Sequence, residues 1–243
     1  MALAWIARGL RRGVVTTRYP RRREPQLDGF RGRVEVVDAE RAPADLAALC
    51  PTGAIHVDAG DRIVLDRKRC ISCGACVDAA PERFAFSSAY ETAMRPADRP
   101  PLSVHARSLR RSIHIRHVDA GSDGSEEWEI SALTNPYYDM QRLGLYFTLS
   151  PRHADVLLVT GGVTPSMEEP LRRAYEVMPE PKAVVAAGTD ACSGGLAVQI
   201  GEVAGGVDRV LPVDVYVPGA PPSPIALLHG LLLAAGVVTG EST

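Results

Sequence analysis

Short apolar runs rich in β-branched residues recur through the second half of the chain. They are ADVLLVT at 154–160, AVVAA at 183–187 and VLPVDVYV at 210–217. Helix-like segments lie between and after them, at 168–177 and 224–237. Continuous apolar strands that alternate with helices are typical of a parallel sheet covered by helices on both faces. The pattern therefore predicts an α/β domain in this half of the chain.

The first 24 residues have a different pattern, in which arginines interrupt a few large apolar residues. Trp5, Ile6, Leu10 and Val14 share one face if this segment is helical. A basic amphipathic helix of this kind is typical of a segment that lies on a membrane surface or on an integral membrane partner. The alternative is a disordered basic tail.

Bulk composition excludes some classes of function. The chain has 243 residues and a formal net charge of −2, so its overall charge gives no reason to expect a nucleic-acid partner. A membrane span needs roughly 18–20 uninterrupted apolar residues. The best candidate, Ile225–Val238, is too short and contains His229.

Four of the five cysteines are clustered between residues 50 and 76. Clustered cysteines in a cytosolic chain indicate metal binding rather than disulfide bonds. The stretch CISCGAC, residues 70–76, has the spacing of the first three ligands in a ferredoxin cluster motif. The fourth position of that motif, however, holds Ala80.

The missing ligand is expected upstream, because in two-cluster ferredoxins each motif lends its fourth cysteine to the other cluster. Cys50 is followed by proline, as such a ligand should be. The ligand positions of the second cluster hold no cysteine: they are Glu40, Pro43, Leu46 and Ala80. The sequence therefore predicts one [4Fe–4S] cluster, with the ligands Cys50, Cys70, Cys73 and Cys76. A zinc ion held by the same four thiolates is the alternative.

Two stretches of the chain resemble two neighbouring subunits of group 4 [NiFe] hydrogenases of the formate hydrogenlyase type, which are related to two iron–sulfur subunits of respiratory complex I. Residues 1–86, with GFRGRVEV, CPTGAI and CISCGAC, resemble the ferredoxin-like subunit. Residues 112–238, with NPYYDMQRLGLYFTLSPRHADVLLVTGGVT and PGAPPSPIALLHGLL, resemble the hydrogenase small subunit or the 20-kDa subunit of complex I. The chain is thus similar to a natural fusion of the two.

The resemblance implies a ferredoxin-like iron–sulfur module followed by a flavodoxin-like α/β domain with a parallel sheet. Four regions are expected: a basic amphipathic N-terminal segment at 1–33, the [4Fe–4S] module at 34–86, a linker rich in Pro, Ser and Ala at 87–111, and the small-subunit-like domain at 112–243.

The chain departs from the family at the proximal [4Fe–4S] cluster, which the small subunit holds on cysteines from three motifs. The four corresponding positions are Asp123, Glu126, Asp190 and Ala220. Thiolates suit iron–sulfur clusters whereas carboxylates suit harder ions, so the proximal cluster is expected to be absent.

Three alternatives describe what the acidic residues do in its place. They form a hydrogen-bonded network with charge pairs to Arg116 or Arg142, they bind a metal ion, or they relay protons. Clustered carboxylates raise one another's pKa and can then pass protons. Glu127 is the candidate relay residue, because this position is Glu in the family and stands beside the cluster there.

The stretch NPYYD resembles the part of the family that faces the large subunit. Exposed pairs of aromatic residues are common interface anchors, so Tyr137 and Tyr138 are predicted to contact a partner. His114 and His117 lie in the family motif SIHIRHVD and are expected to have structural roles.

By resemblance, the chain is expected to be an iron–sulfur subunit of a membrane-bound complex that couples redox chemistry to ion translocation, without a catalytic residue of its own. The implied partners are a subunit similar to the hydrogenase large subunit or the 49-kDa subunit of complex I, and membrane-embedded antiporter-like and quinone-module-like subunits. The expected location is peripheral, on the cytoplasmic face of the cell membrane.

The missing proximal cluster breaks the expected electron path and supports an alternative. The chain would then be a structural and coupling subunit of a complex that has lost hydrogenase and quinone electron transfer and does non-redox work.

Overall fold

A small cysteine-bearing module precedes a larger α/β domain, in the predicted order. The computed structural model describes residues 2–25, 29–40, 43, 45–98, 112–203, 205–239 and 241–242. The helices in these residues are α1 (Ala2–Arg12), α2 (Ala75–Ala79), α3 (Ser125–Ala132), α4 (Pro165–Glu176), α5 (Thr189–Ser193) and α6 (Pro224–Ala234). The strands are β1 (Arg33–Val36), β2 (Ile55–Val57), β3 (Ile63–Leu65), β4 (Phe84–Ser87), β5 (Met94–Arg95), β6 (Ile113–Asp119), β7 (Leu145–Phe147), β8 (Val156–Thr160), β9 (Ala183–Ala187), β10 (Val215–Val217) and β11 (Glu241–Ser242).

A seven-stranded sheet, in the order β11-β5-β10-β9-β8-β6-β7, forms the centre of the α/β domain. Neighbouring strands from β10 to β7 run parallel, whereas β5 is antiparallel to β10 and parallel to β11. Every residue of β8 and β9 is buried, as strands covered on both faces require. The predicted parallel sheet is therefore confirmed.

Helices cover both faces of this sheet. Alternate residues along a strand point to opposite faces, so Leu158 belongs to the core beneath α3 and α6 and Leu157 to the core beneath α4 and α5. Helix α6 is apolar and buried on all sides. Tyr19 and Tyr90 belong to the same core as α6, with their rings edge-on at 6.0 Å. Residues from upstream of the α/β domain thus complete its core.

The structure corrects the predicted linker at 87–111. Residues 94–95 form β5 and pair with the main sheet, and Tyr90 is buried. A two-residue strand in a segment rich in Pro and Ser produces no apolar run, so the sequence pattern did not indicate it. Residues 99–111 of the predicted linker lie outside the described residues.

Strand β10 is shorter than the apolar run at 210–217 suggested. It begins at Val215, after a 3₁₀ turn at Val207–Arg209. Pro212 lies within the run and has no amide hydrogen to donate to a neighbouring strand, which accounts for the late start.

The cysteine-bearing module consists of two antiparallel strand pairs, β1 with β4 and β2 with β3. It has its own apolar core, which includes Val34, Ile55 and Phe84. The turn Arg67–Arg69 of this module packs against α5 of the α/β domain. This contact brings the cysteines to the edge of the larger domain, as the predicted ferredoxin-like module followed by an α/β domain requires.

Candidate iron–sulfur site and carboxylate pocket

The four predicted cluster ligands line one small cavity of the module. Cys50 follows a short 3₁₀ turn, Cys70 follows the turn Arg67–Arg69, and Cys76 lies in α2. Cys76 is buried, Cys50 and Cys70 are half-buried, and Cys73 is exposed. Cys50 is therefore brought to the other three cysteines, although twenty residues separate it from Cys70.

Backbone amides point at two of the sulfurs. The amide of Ala54 donates to Cys50 Sγ at 3.2 Å, and the amide of Ser72 donates to Cys70 Sγ at 3.4 Å. Burial opposes ionisation of Cys50, but hydrogen bonds from Thr52 and nearby amides outweigh it and lower the pKa of this thiol. Such bonds stabilise thiolates, the form in which cysteine binds iron.

The thiolates are close enough to repel one another. Burial, and then the charges of Cys50 and Cys73, raise the pKa of Cys70. Burial and the charges of Cys70 and Cys73 likewise raise the pKa of Cys76. A positively charged group bound between the four sulfurs would relieve this repulsion.

The loop between the cysteines is shaped by left-handed backbone at Ser72 and Gly74, whose φ angles are 52° and 86°. A Cβ at Gly74 would lie 3.1 Å from the Phe86 ring, so the position is sterically restricted to glycine. Ala80, where a second cluster would take a ligand, is buried in the module core.

Four cysteines around one cavity, with amide donors to their sulfurs, fit a [4Fe–4S] cluster. No group of three or more His, Cys, Asp or Glu side chains within the described residues is arranged to hold a metal ion. A [4Fe–4S] cube differs from a single ion, because it binds its four thiolates at four separate iron corners.

The carboxylates at the degenerate cluster positions lie in different environments. Glu126 is only 2% exposed, Asp190 is half-buried, and Asp123 and Ala220 are exposed. The Glu126 carboxylate packs so closely against Gly188 that a Cβ there would collide with it, and Asp190 packs in the same way against Gly195. Glu126 therefore lies against the residue before Thr189, and Asp190 is the residue after it.

Burial, and to a smaller extent the charges of Asp190 and Asp123, raise the pKa of Glu126 to about 7 against the opposing effect of hydrogen bonds. Burial and the charge of Asp123 also raise the pKa of Asp190. Asp123 differs, because the Ser125 hydroxyl and amide, the latter at 2.9 Å, lower its pKa. The pocket therefore holds one carboxyl group that titrates near neutral pH.

The expected charge pairs to Arg116 and Arg142 are not found among the described residues. Arg142 Nη2 donates instead to the Tyr19 carbonyl at 2.8 Å, and Arg116 lines a separate cavity with His117. In the described part of the chain, Glu126 accepts one side-chain hydrogen bond, from Ser125 Oγ at 3.2 Å. The upward shift of the Glu126 pKa comes mainly from burial, and the neighbouring charges that add to it are those of acids.

Glu127 has several hydrogen-bond partners. Its Oε2 accepts from Ser122 Oγ at 2.7 Å, and its Oε1 accepts from Thr160 Oγ1 at 2.5 Å. His117 Nε2 lies 3.4 Å from Glu127 Oε1 and 2.9 Å from Thr160 Oγ1. Burial lowers the pKa of His117 although Glu127 raises it. The relay role of Glu127 stays a prediction, and His117 and Thr160 are partners that the sequence did not indicate.

Tyr137 and Tyr138 form an edge-on pair with ring centroids 5.0 Å apart. The Tyr137 hydroxyl donates to Glu24 at 3.0 Å and its carbonyl accepts from the Thr17 amide, so this residue binds the N-terminal segment of its own chain. Tyr137 is exposed and Tyr138 is half-buried against the core. Their predicted contact with a partner stays a prediction.

Helix α1 presents uncovered apolar side chains. Trp5 is 77% exposed and Leu10 is 80% exposed, and Ile6 is exposed beside them. Val14 is also exposed but lies beyond the end of the helix at Arg12. None of the helices in the described residues is long and apolar enough to cross a membrane.

Two family models match the chain. The model of the NADH ubiquinone oxidoreductase 20-kDa subunit matches residues 124–234, and that of a 4Fe-4S single cluster domain matches residues 63–101. The second match contains Cys70, Cys73 and Cys76 and begins after Cys50.

The "Probable membrane-bound hydrogenase subunit mbhJ" of Pyrococcus furiosus is 43% identical to the chain over 137 residues, covering 55% of this chain and 82% of that protein. The chain belongs to the family of the NADH ubiquinone oxidoreductase 20-kDa subunit. Its 20-kDa-subunit domain follows a 4Fe-4S domain in one polypeptide, as the resemblance predicted.

Further similar proteins include a formate hydrogenlyase subunit and a chain of a respiratory complex. Formate hydrogenlyase subunit 7 of Escherichia coli (strain K12) is 42% identical over 132 residues, which cover 54% of this chain and 52% of that protein. The chain thus spans about half the length of this relative. A chain of the membrane-bound sulfane sulfur reductase, an archaeal respiratory membrane complex, aligns over 58% of this chain and 80% of its own length, with 32% identity and a TM-score of 0.46.

Proposed function

We propose that this protein is the iron–sulfur subunit of a membrane-associated complex of the hydrogenase or complex I type. It carries one [4Fe–4S] cluster on Cys50, Cys70, Cys73 and Cys76 and lacks the proximal cluster. The observation that carries the proposal is the contrast between two sites: four cysteines line one cavity of the module, while the degenerate positions of the 20-kDa-subunit domain hold three acids and an alanine. In this assembly the module, from about 34 to 86, stores or passes electrons.

The partners follow from the family. A relative is named as a membrane-bound hydrogenase subunit and another as a formate hydrogenlyase subunit, which supports a large-subunit-like or 49-kDa-like partner and membrane-embedded antiporter-like and quinone-module-like subunits. Exposed apolar side chains support a surface covered by a partner, since Trp128 on α3 is 80% exposed and Leu149 is 89% exposed. Tyr137 and Tyr138 belong to the same proposed interface.

Peripheral attachment at the cytoplasmic membrane face rests on α1. Its Trp5, Ile6 and Leu10 side chains are exposed and are available to apolar surface. Arg8, Arg11 and Arg12 supply positive charge for lipid phosphates or acidic loops. Ion translocation by the complex is part of the same proposal.

Glu127 is proposed to relay protons. Its carboxylate has one oxygen toward Ser122 and the other toward Thr160 and His117, so that a proton received on one oxygen can leave from the other. His117 lines an open cavity of mixed polar and apolar character with Arg116, Ser131 and Phe147, and this cavity is the proposed access of the relay to water.

A second function is favoured by the missing proximal ligands. Without that cluster, the chain acts as a structural and coupling subunit of a complex that does non-redox work, and the remaining cluster serves as a staple or sensor. The two functions differ in whether the complex oxidises and reduces the cluster during turnover. Freeze-quench electron paramagnetic resonance of the complex under turnover decides between them, because the reduced-cluster signal must rise and decay with substrate only in the first.

The ligand assignment is tested by single substitutions. Cys50→Ser is expected to lose the iron–sulfur absorption as completely as Cys73→Ser. Cys192 provides the matched control, because it is buried in the 20-kDa-subunit domain and bonds to the Ala186 carbonyl. Cys192→Ser is expected to keep the cluster. Retention of the full absorption by Cys50→Ser would remove this residue from the site.

A further inference from the structure

Thr189 connects the cluster module to the degenerate cluster pocket. Its hydroxyl donates to the Cys70 carbonyl at 3.0 Å and accepts from the Gly219 amide at 3.2 Å. Its own amide donates to the Gly219 carbonyl at 2.7 Å, and the residue is fully buried. One side chain therefore ties the loop of a cluster ligand to the loop that leads to Ala220.

Two carboxylates flank this connection. Glu126 packs against Gly188, the residue before Thr189, and Asp190 is the residue after it. Because the Thr189 hydroxyl lies 3.0 Å from the Cys70 carbonyl and consecutive Cα atoms are about 3.8 Å apart, both carboxylates lie on the order of 10 Å from the Cys70 backbone. The acids and the cluster loop are therefore near neighbours.

Glu126 is positioned to take up a proton. It is 2% exposed, and its Oε1 accepts no side-chain hydrogen bond from the residues that the structure describes. The charged and titratable groups on the surrounding elements are Asp123, Glu127, Glu129, Asp66, Arg67, Lys68, Arg69, Asp208, Arg209 and His229. Lys68 pairs with Asp208 and Arg69 pairs with Asp66, whereas the charges that shift the pKa values of Glu126 and Asp190 are those of acids.

An electron added at the cluster would act on this acid pair through space. At about 10 Å and an effective dielectric constant of about 20, one negative charge changes the proton affinity of a carboxylate on the order of tenfold. The Thr189 hydrogen bond and the packing of α5 against the Arg67–Arg69 turn connect the two sites directly.

We propose that Glu126 and Asp190 form a proton-accepting pair whose protonation is coupled to one-electron reduction of the cluster held by Cys70. A low-potential one-electron donor supplies the electron, and solvent water supplies the proton. The new bond is the O–H bond of one carboxyl group, and the bond broken is the O–H bond of hydronium or of a buffer acid. Two of the degenerate cluster positions thus take up a proton when the cluster is reduced. This inference rests on the proposed [4Fe–4S] site.

The test measures the midpoint potential of the cluster in the full chain between pH 5.5 and 8.5. Electron paramagnetic resonance monitors the reduced cluster during the redox titration. A tenfold change in proton activity corresponds to about 59 mV for a one-electron couple. Because reduction changes the proton affinity of the pair about tenfold, the wild-type potential is expected to fall by about 59 mV in total as pH rises through neutrality, where the pKa of Glu126 lies.

Substitutions at the pair and at a nearby acid show which carboxyl groups cause the pH dependence of the potential. Glu126→Gln, Asp190→Asn and the double variant are expected to flatten the dependence, the double variant completely. Glu129→Gln, on the same helix and with a carboxyl that is also partly buried, is the matched control and is expected to keep the wild-type slope. Thr189→Val, which lacks the hydroxyl bonded to the Cys70 carbonyl, is expected to shift the midpoint potential of the cluster. Thr189→Ser, which keeps a hydroxyl, is expected to have the wild-type potential.

The outcomes are distinguishable. A normal cluster signal with a pH-independent potential in the wild type would overturn the coupling and leave the proposed function intact. An equal slope in the wild type and the double variant would also overturn it. Absence of any iron–sulfur signal in the wild type would overturn the proposed function and the coupling together.

Discussion

Replacing Glu126 by glutamine is expected to stabilise the protein at alkaline pH. In the folded state, burial and the neighbouring acids raise the pKa of this carboxyl from its ordinary value of 4.5 to about 7. As pH rises through this interval, the unfolded chain releases the proton before the folded chain does, so folding loses stability. The loss is absent below the unfolded pKa and complete above the folded pKa.

The magnitude follows from the difference between those two values. Each pK unit corresponds to about 1.4 kcal/mol, so ionised Glu126 costs the folded state about 3 kcal/mol above neutral pH. Glutamine keeps nearly the same shape and never ionises, so the variant avoids this cost. For a chain of this size, about 3 kcal/mol corresponds to roughly 6–12 °C in the midpoint of thermal unfolding.

The assay is thermal unfolding of the wild type and Glu126→Gln from pH 4.5 to 8.5, with the cluster content held equal. The two proteins are expected to have similar midpoints at pH 4.5 and to diverge steadily to the full difference at pH 8.5. Glu176→Gln, at the exposed end of α4, is the control and is expected to follow the wild type. Parallel unfolding curves for the wild type and Glu126→Gln, or a lower stability of the variant at pH 8.5, would refute the reasoning that Glu126 is a buried carboxyl whose charge has no compensating partner.

Three further predictions test other parts of the account. Replacing Trp5 and Leu10 together by serine is expected to release the protein from membranes at moderate salt, measured by flotation, and full retention would show that α1 is not the anchor. Replacement by cysteine at all four degenerate positions, Asp123, Glu126, Asp190 and Ala220, is expected to add a second signal in electron paramagnetic resonance after cluster reconstitution. The same protein with Ala220 unchanged is the control and should bind less additional iron. No additional iron in either protein would show that the pocket has closed around the acids. Glu127→Gln is expected to slow proton-coupled turnover of the complex and increase its solvent isotope effect without loss of the cluster, while unchanged turnover would exclude Glu127 from the relay.

Strands β8 and β9 and helices α4 and α6 followed directly from the hydrophobic pattern. The runs that became β8 and β9 are apolar at every position because both faces of the sheet are covered. Strand β5 has no such signature, since a strand of two residues carries too little pattern to be recognised. The packing of Tyr19 beneath α6 was likewise not indicated, because a single tyrosine in a basic segment shows no sign of the distant core that it joins.

Motif spacing located the candidate site, and three-dimensional contacts determined its chemistry. In two-cluster ferredoxins each motif lends one cysteine to the other cluster, so the spacing of the cysteines alone predicts that Cys50 and Cys70 share a site. Arg142, one of the two arginines considered as partners of the acids, binds the Tyr19 carbonyl instead. The contact of Thr189 with Cys70 joins residues 119 positions apart, and no local pattern carries that information.

The central claim is that the chain binds one [4Fe–4S] cluster and no second one. Iron and acid-labile sulfide, measured per chain after anaerobic purification, test it most directly. The expected result is about four iron atoms and four sulfides per chain, bound by Cys50, Cys70, Cys73 and Cys76. A value near eight iron would show that the acidic pocket still holds a cluster, and zinc without sulfide would show that the four thiolates hold a single ion instead.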